Sequence, residues 1–83
     1  EIALKAIISR DVAFHLGERK LALKQKLTEQ SDGSYLLEAK VLETSELRFW
    51  LRGYDDEIEI LEPAKLRDAL YQSAKAMVRK YEQ

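Results

Sequence analysis

The segment 31–34, Ser-Asp-Gly-Ser, constrains the fold more than any other part of the chain. Asp-Gly favours the positive φ angles that a tight hairpin turn needs. A predicted strand, residues 23–30, precedes this turn, and a second predicted strand, residues 35–43, follows it with regular alternation of side chains. The sequence therefore predicts an antiparallel hairpin whose second strand points one set of apolar side chains to one face: Leu37, Ala39 and Val41.

The first part of the chain predicts a strand followed by a short helix. Residues 2–8 are rich in isoleucine and alternate as a strand does, which places Ile2, Leu4 and Ala6 on one face. Asp11 is the expected N-cap of a helix over residues 12–19. The side chains of that helix expected to face the core are Val12, Phe14 and Leu16.

A second helix is predicted over residues 45–54, with Thr44 or Ser45 as its N-cap. Its apolar side chains recur at helical spacing, which predicts one buried stripe. Gly53 occupies the place where a left-handed residue commonly ends a helix. The stripe consists of Leu47, Trp50, Leu51 and Tyr54.

A fourth strand and a long helix complete the pattern. Residues 57–61 alternate with Ile58 and Ile60 directed inward, and Pro63 fits the first turn of a helix over residues 64–81. This last helix is expected either to cover the open face of the sheet or to reach another chain. Its apolar side consists of Leu66, Leu70, Ala74, Met77, Val78 and Tyr81.

The order of these elements is β-α-β-β-α-β, followed by an additional helix. Right-handed crossovers on this order give an α+β, ferredoxin-like sandwich, in which a four-stranded antiparallel sheet carries two helices on one face. The sequence therefore predicts this architecture with an additional C-terminal helix.

Composition narrows the class of protein. With 83 residues, the chain (residues 1–83) is expected to form a single domain. It has no cysteine to form disulfide bonds, so its hydrophobic residues, 46% of the total, must supply the stabilising core. The 14 basic and 15 acidic residues nearly balance, which argues against a dedicated nucleic-acid arm or a polybasic membrane anchor. No apolar run is long enough to span a membrane, and we expect a cytoplasmic location. Because Glu1 opens directly on a strand and Met77 is the only methionine, we expect a piece excised from a longer protein.

Catalytic, metal and cofactor sites are not predicted. His15 is the only histidine, and no nucleophile can be paired with it from the sequence. The acids Asp55, Asp56 and Glu57 lack the loop spacing of a hard-cation site, so they are interpreted as a solvated turn. We therefore expect no enzyme activity, no metal and no cofactor.

Other uses of a ferredoxin-like sheet leave marks that this sequence lacks. The first strand has no aromatic residue on which RNA bases could stack. A metallochaperone of this fold needs a Cys-x-x-Cys pair, and acylphosphatases pair an arginine with an asparagine, a residue that this chain does not contain. ACT domains, which bind small molecules, usually have a glycine after the first strand, where this chain has Ser-Arg-Asp. A free-standing ACT-like module stays as the alternative hypothesis.

Two groups of basic residues are candidate contacts for phosphate. Arg48 and Arg52 lie four residues apart and share one face of the second predicted helix, where two guanidinium groups could hold phosphates. A solvated helix face is the competing interpretation. The second group, also interpreted chiefly as solvated, consists of Arg10, Arg19, Lys20, Lys24 and Lys26, of which Arg10 and Lys26 are retained as candidate contacts.

The order of several short motifs resembles a known family. They are ER-x-L (18–21), Q-x-L-x-E (25–29), DGS (32–34), L-x-A-x-V (37–41), ELR-x-WL-x-GY (46–54), IEIL-x-P (58–63) and LR (66–67). Together they resemble the C-terminal extension, WCX, of bacterial transcriptional regulators that contain a WYL domain. Family members commonly have a glycine where Asp55 stands, so Asp55 is expected either to loosen the turn or to adopt the left-handed conformation itself.

This resemblance implies a setting that composition and periodicity do not reveal. It implies a parent protein with an N-terminal helix-turn-helix that binds DNA, a WYL domain, and this domain last. In that family the last two domains are associated with dimerisation and with sensing an effector, proposed to be nucleic acid or a nucleotide-like ligand. The family motif has an arginine at the position of Arg48, which makes it the first candidate contact. The expected partners are a WYL domain and a second copy of the chain, with an interface on Leu70, Met77, Val78 and Tyr81.

Overall fold

A β-hairpin lies where the Asp-Gly turn predicts it. In the computed structural model, which describes residues 1–22 and 24–82, strand β2 (Gln25–Glu29) pairs antiparallel with β3 (Tyr35–Val41). Gly33 has φ 89°, the positive value that the turn requires, and the Asp32 carboxylate accepts a hydrogen bond of 2.9 Å from the Ser34 amide. The strands are shorter than predicted: β3 ends at Val41, and the first residue of the predicted strand 23–30 lies outside the described residues.

The hairpin is part of a four-stranded antiparallel sheet. Strand β1 (Ile2–Ile8) pairs with β3 on one side and with β4 (Ile58–Glu62) on the other. The strand order is β2-β3-β1-β4, which is the order of a ferredoxin-like sandwich. The predicted α+β fold class is therefore confirmed.

Side chains alternate between the two faces of the sheet, so the apolar side chains on one face of the strands point into a single core. Leu4 lies opposite Ala39, and Ala6 lies opposite Leu37 and Ile60, so the inward side chains of three neighbouring strands meet on one face. The helices cover this face. The buried core consists of Leu4, Ala6, Ile8, Val12, Ala13, Leu16, Leu37, Ala39, Val41, Leu47, Leu51, Ile60 and Leu66.

Helix α1 (Arg10–Glu18) begins earlier than the sequence pattern predicts. Its N-cap is Ser9 and not Asp11, because the Ser9 hydroxyl accepts a hydrogen bond of 3.1 Å from the Val12 amide. The same hydroxyl donates to the Glu57 carboxylate at 2.8 Å. Phe14, predicted to face the core, is 71% exposed, because the buried face of α1 carries Val12, Ala13 and Leu16.

Helix α2 (Ser45–Arg52) has Thr44 as its N-cap, one of the two caps predicted, and buries Leu47 and Leu51. The prediction that Gly53 is left-handed is wrong, since its φ is −66°. The chain turns at Asp55, whose φ of 53° lies in the left-handed region. This confirms one of the two expectations for this position, that Asp55 itself adopts the left-handed conformation. A short 3₁₀ turn, Asp55–Glu57, then leads into β4.

Helix α3 (Ala64–Tyr81) starts directly after β4, with Pro63 just outside its first turn. Leu66 is fully buried in the same core cluster as the residues of α1 and α2. The guanidinium of the next residue, Arg67, donates hydrogen bonds of 2.8 Å to the Ile60 carbonyl oxygen and 3.2 Å to the Glu59 carboxylate. The start of α3 is thus fixed along the edge strand β4, on the side of the sheet that α1 and α2 cover.

Candidate functional site

An open apolar groove separates α3 from the edge of the sheet. Its volume is about 950 Å³. Leu51, Ile58 and Ile60 form the side of α2 and β4, and one face of α3 forms the other side. This α3–β4 groove is lined by Leu51, Arg52, Asp55, Asp56, Ile58, Glu59, Ile60, Ala64, Arg67, Asp68, Leu70, Tyr71, Ser73, Ala74, Met77, Val78, Tyr81 and Glu82.

The second half of α3 projects beyond the sheet that supports its first half. A helix of 18 residues is about 27 Å long, whereas the five-residue strand β4 spans about 17 Å. Residues 71–81, named here the distal segment, consequently have no buried member. The distal segment exposes large apolar side chains: Tyr81 is 88% exposed, and Tyr71, Met77 and Val78 are exposed as well.

The four predicted interface residues therefore share one face of α3 and line one groove. Leu70 is half-buried and packs against the core, while Met77, Val78 and Tyr81 continue the same stripe into solvent. The feature that sequence reasoning missed is the opposite wall, formed by Ile58 and Leu51. The difference in length between the predicted strand and the predicted helix was the signal that could have revealed it.

Charge is distributed unevenly along the groove. The acids Asp55, Asp56 and Glu59 lie at its sheet side, and Asp68 lies in the first half of α3. The distal segment contains Lys75, Arg79 and Lys80, and the last two are in the final turn of the helix. Lys75 lies 5.4 Å from the centre of the Tyr71 ring, a distance that suits a cation–π contact. The acids therefore line the groove, whereas these three bases lie on α3 outside its lining.

The structure places the candidate arginines of α2 in different surroundings. The Arg48 guanidinium is 2.7 Å from the Glu43 carboxylate, in a small cleft that Thr44, Ser45 and Lys65 complete. Arg52 is exposed, and it lies on the α3–β4 groove beside Asp55 and Asp56. A ligand phosphate at Arg48 would compete with Glu43, whereas Arg52 lies open to solvent.

The remaining basic candidates are not brought together. Arg10 is exposed at the first position of α1, on the helix side of the sheet. Lys26 pairs in register with Glu38, on the opposite face from Leu27 and the core. The sheet therefore lies between Arg10 and Lys26, and no single phosphate group could contact both.

An aromatic cluster joins α1 to the end of α2. The Tyr54 ring meets the Trp50 ring edge to face at 4.8 Å between ring centres, and the His15 ring at 6.3 Å. Partial burial raises the pKa of the Tyr54 hydroxyl above its ordinary value. The sequence analysis assigned Trp50 and Tyr54 to the apolar stripe of α2, and both pack against the core. His15 lies in this packing contact.

The acids after α2 form an exposed turn, as predicted. Asp55, Asp56 and Glu57 are all solvent-exposed. Within residues 1–22 and 24–82, no group of three or more acidic, histidine or cysteine side chains is arranged to hold a metal ion. In the same residues, no helix is both long and apolar enough to cross a membrane.

Comparison with protein families identifies the family of this chain. The model of the WCX domain family matches residues 1–78, which is nearly the whole chain. A search of curated proteins found no match. The match covers every strand, α1, α2 and α3 as far as Val78, in the motif order described above. The chain therefore belongs to the WCX domain family, and it is a regulatory domain of the kind found in WYL-type proteins.

Proposed function

We propose that this WCX domain is a non-catalytic dimerisation and regulatory module of a bacterial, cytoplasmic, DNA-binding transcriptional regulator. The observation that carries the proposal is the distal segment of α3, which exposes a stripe of large apolar side chains beside an open apolar groove. Contiguous exposed apolar surface of this kind is typical of interaction sites. A second copy of the chain is the partner that the proposal names.

Dimerisation would be favourable because it would remove from water the large apolar side chains that the single chain exposes. Burial of a large apolar side chain contributes roughly 1.5–3 kcal/mol when it is complete. Met77, Val78 and Tyr81 are each about half exposed or more, so most of that free energy is gained only when a partner covers them. In a symmetric dimer every such contact occurs twice.

The wider setting of the proposal comes from family membership. We propose that this WCX domain accompanies a WYL domain and that a helix-turn-helix of the same protein binds DNA; membership of the WCX family supports this setting. Dimerisation here would hold two DNA-binding domains at a fixed separation, which is what a palindromic operator requires. Self-association of this domain would then be a condition for tight operator binding.

Sedimentation velocity over a concentration series tests the dimerisation. The wild-type chain should form a dimer, and the double variant Met77→Gln, Val78→Gln should be a monomer over the same range. The matched control is Phe14→Gln, Phe49→Gln, since both phenylalanines are at least 71% exposed and lie on α1 and α2. A wild-type chain that stays monomeric up to about 100 μM, alone and with its WYL domain, would contradict the proposal.

Contact with an effector is the second part of the proposal, and Arg52 is the residue that we assign to it. Its guanidinium is exposed on the groove, whereas Arg48 is engaged by Glu43. Guanidinium groups bind phosphates in a bidentate manner, so a nucleic acid or a nucleotide suits this residue. The proposal predicts that the WYL-linked protein binds a short single-stranded oligonucleotide and that salt weakens this binding.

Fluorescence anisotropy with a labelled oligonucleotide measures this effect. Arg52→Ala should lower the dependence of log affinity on log salt by about 0.7, the value for one lost contact with single-stranded nucleic acid. Arg19→Ala, at an exposed position after α1, is the control and should leave the slope unchanged. The absence of binding at low salt would remove the effector part and leave the dimerisation part intact.

A further inference from the structure

The face of the sheet that points away from the core, named here the outer face, has a charge pattern that is complementary to itself. We infer that the outer face is a weak contact surface for a second copy of this chain, and that two outer faces pack across a twofold axis parallel to the strands. This contact goes beyond the proposed dimerisation, because it uses the sheet and not α3.

The centre of the outer face is apolar. Ile7 of β1 lies opposite Leu36 of β3, and both side chains are half-buried. Both alternate along their strands with residues of the buried core, so they point to the other side of the sheet. The helices place their buried side chains in the core. The apolar centre of the outer face is therefore open to a partner.

A row of alternating charge crosses the outer face from one edge to the other. In the register of the sheet, Lys26 of β2 lies opposite Glu38 of β3. Glu38 in turn lies opposite Lys5 of β1, and a register shift in β4 brings Glu62 level with Lys5. This charge row therefore alternates in sign over all four strands.

The charge row takes no part in the ion pairs of the single chain. Among residues 1–22 and 24–82, the ion pairs join Arg48 to Glu43 and Arg67 to Glu59. The two inner members of the row are half-buried, and the two outer members are exposed. All four charges are therefore available to another molecule that covers the outer face.

One twofold axis makes the charge row complementary to itself. An axis parallel to the strands and midway between β3 and β1 places β3 over the partner's β1, and β2 over the partner's β4. Glu38 then faces the partner's Lys5, and Lys26 faces the partner's Glu62. The symmetry repeats both attractions. The same axis brings the two apolar centres together.

Other axes oppose like charges. A twofold axis that lies along the charge row places each charge against its own copy, so that Lys5 faces the partner's Lys5. An axis parallel to the strands but over β1 has the same effect on Lys5. Like charges that face each other across an interface are unfavourable, and opposite charges are favourable. The charge row therefore selects the axis between β3 and β1.

The size of the outer face limits the affinity. Four strands of five to seven residues form a face on the order of 400 Å². A stable dimer buries roughly 800 Å² per partner. We therefore expect a dissociation constant on the order of 1 mM. A contact of this strength links copies that are already close, such as regulators on neighbouring DNA sites, and only this consequence rests on the proposed function.

Charge reversal at the two ends of the charge row tests the contact and its orientation. Every protein in the experiment carries Met77→Gln and Val78→Gln, which removes the proposed contact through α3. Lys26→Glu places an acid against the partner's Glu62 at both ends, and Glu62→Lys places a base against the partner's Lys26. A mixture of these two variants opposes unlike charges at both ends of the mixed pair.

Two-dimensional NMR spectra at low salt, recorded up to about 2 mM protein, measure the dissociation constants. We expect each variant alone to raise the dissociation constant by about fivefold or more, and the mixed pair to return to within about twofold of the parent. Because both variants must be folded to form the mixed pair, its recovery also controls for misfolding. Arg19→Glu, the same charge change as Lys26→Glu at an exposed position after α1, should change the dissociation constant less than twofold.

The outcomes distinguish the contact from its orientation. If the amide signals of Ile7 and Leu36 do not shift with the concentration of the parent, the outer face is not a contact surface. If the single variants associate as tightly as the parent, or if the mixed pair does not recover, the orientation is wrong. Neither result bears on dimerisation through α3, which these proteins lack, and a wild-type chain that fails to dimerise through α3 leaves the contact of the outer faces standing.

Discussion

Asp55 has a backbone conformation that most side chains avoid. Its φ of 53° lies in the left-handed region, which costs an L-residue roughly 1–2 kcal/mol and costs glycine nothing. Asp and Asn tolerate this conformation better than other residues because their short polar side chains can bond locally. The exit from α2 thus depends on the residue type at this one exposed position.

Substitutions at Asp55 should therefore have effects that exposure alone does not predict. We expect Asp55→Val to lower the free energy of unfolding by about 1–2 kcal/mol, and Asp55→Gly to leave it unchanged or slightly higher. Asp56→Val is the control, since Asp56 is exposed but not left-handed. Urea unfolding followed by circular dichroism measures the difference, and equal losses at the two positions would contradict the explanation.

Ser9 links two distant parts of the chain through one hydroxyl. We expect Ser9→Ala to lower the free energy of unfolding by about 1–2 kcal/mol, because it removes the N-cap bond to Val12 and the bond to Glu57. Ser31→Ala, in the exposed hairpin turn, is the control and should change the unfolding midpoint little. If Ser9→Ala lowered the free energy of unfolding no more than Ser31→Ala does, the N-cap would contribute nothing to stability.

The error at the start of α1 has a physical cause. Ser9 and Asp11 are both good N-cap residues, and the local sequence favours neither. The structure selects Ser9 because its amide also donates to the Glu57 carbonyl oxygen at 3.0 Å, a contact with a residue 48 positions away. Local patterns cannot include such a contact, although they did identify Thr44 as a possible cap of α2.

At the scale of elements, the hairpin turn contains a carboxylate with a perturbed pKa. The side chain and the amide of Ser34 both donate to Asp32, and these hydrogen bonds lower the pKa of Asp32 below its ordinary value. Because the folded-state pKa is the lower one, the stabilisation is present above the unfolded-state pKa and is lost as the pH falls through the folded-state value. The turn should therefore loosen only in acid.

Carboxyl NMR titration tests this explanation of the turn. We expect Ser34→Ala to raise the pKa of Asp32 towards its ordinary value, because it removes the side-chain hydrogen bond of 2.6 Å. Ser31→Ala should leave the pKa of Asp32 unchanged, since the hydrogen bonds from Ser34 are the main cause of the shift. An unchanged pKa in Ser34→Ala would assign the shift to the Ser34 amide alone.

The two halves of α3 should differ in how much they stabilise the single chain. Leu66→Ala should lower the free energy of unfolding by about 2–5 kcal/mol, because Leu66 is fully buried in the core. Met77→Ala should lower it by less than about 0.5 kcal/mol, since Met77 is exposed in the monomer. Urea unfolding at a protein concentration below the dimerisation constant makes the comparison, and similar losses would place the distal segment against its own chain.

For the whole molecule, the described core is complete without the end of α3. A chain that ends at Ser73 keeps all 13 buried hydrophobic residues. We expect this shortened chain to fold with an unchanged sheet, to lose less than about 1 kcal/mol of stability, and to be monomeric. Circular dichroism and sedimentation measure these properties, and an unfolded product would mean that the distal segment stabilises its own chain.

The order of the elements was predictable because each element has a regular spacing of apolar residues and is bounded by recognisable turn or cap residues. Alternation along β1 and β3, the Asp-Gly turn, and the four-residue spacing from Leu47 to Leu51 together determine a ferredoxin-like order. The groove was not predictable in the same way. The groove exists because α3 runs along β4 and is longer than that strand. The direction in which a final helix leaves a sheet is set by contacts between distant residues, such as the one between Arg67 and Ile60.

That contact of Arg67 has a consequence for aggregation. Strand β4 is an edge strand, and unpaired backbone groups at such edges recruit strands from other molecules. The Arg67 guanidinium donates to the Ile60 carbonyl oxygen, and this bond holds a fixed positive charge beside the edge strand. A charge held against β4 opposes the open-ended pairing of strands at this edge, which leads to fibres.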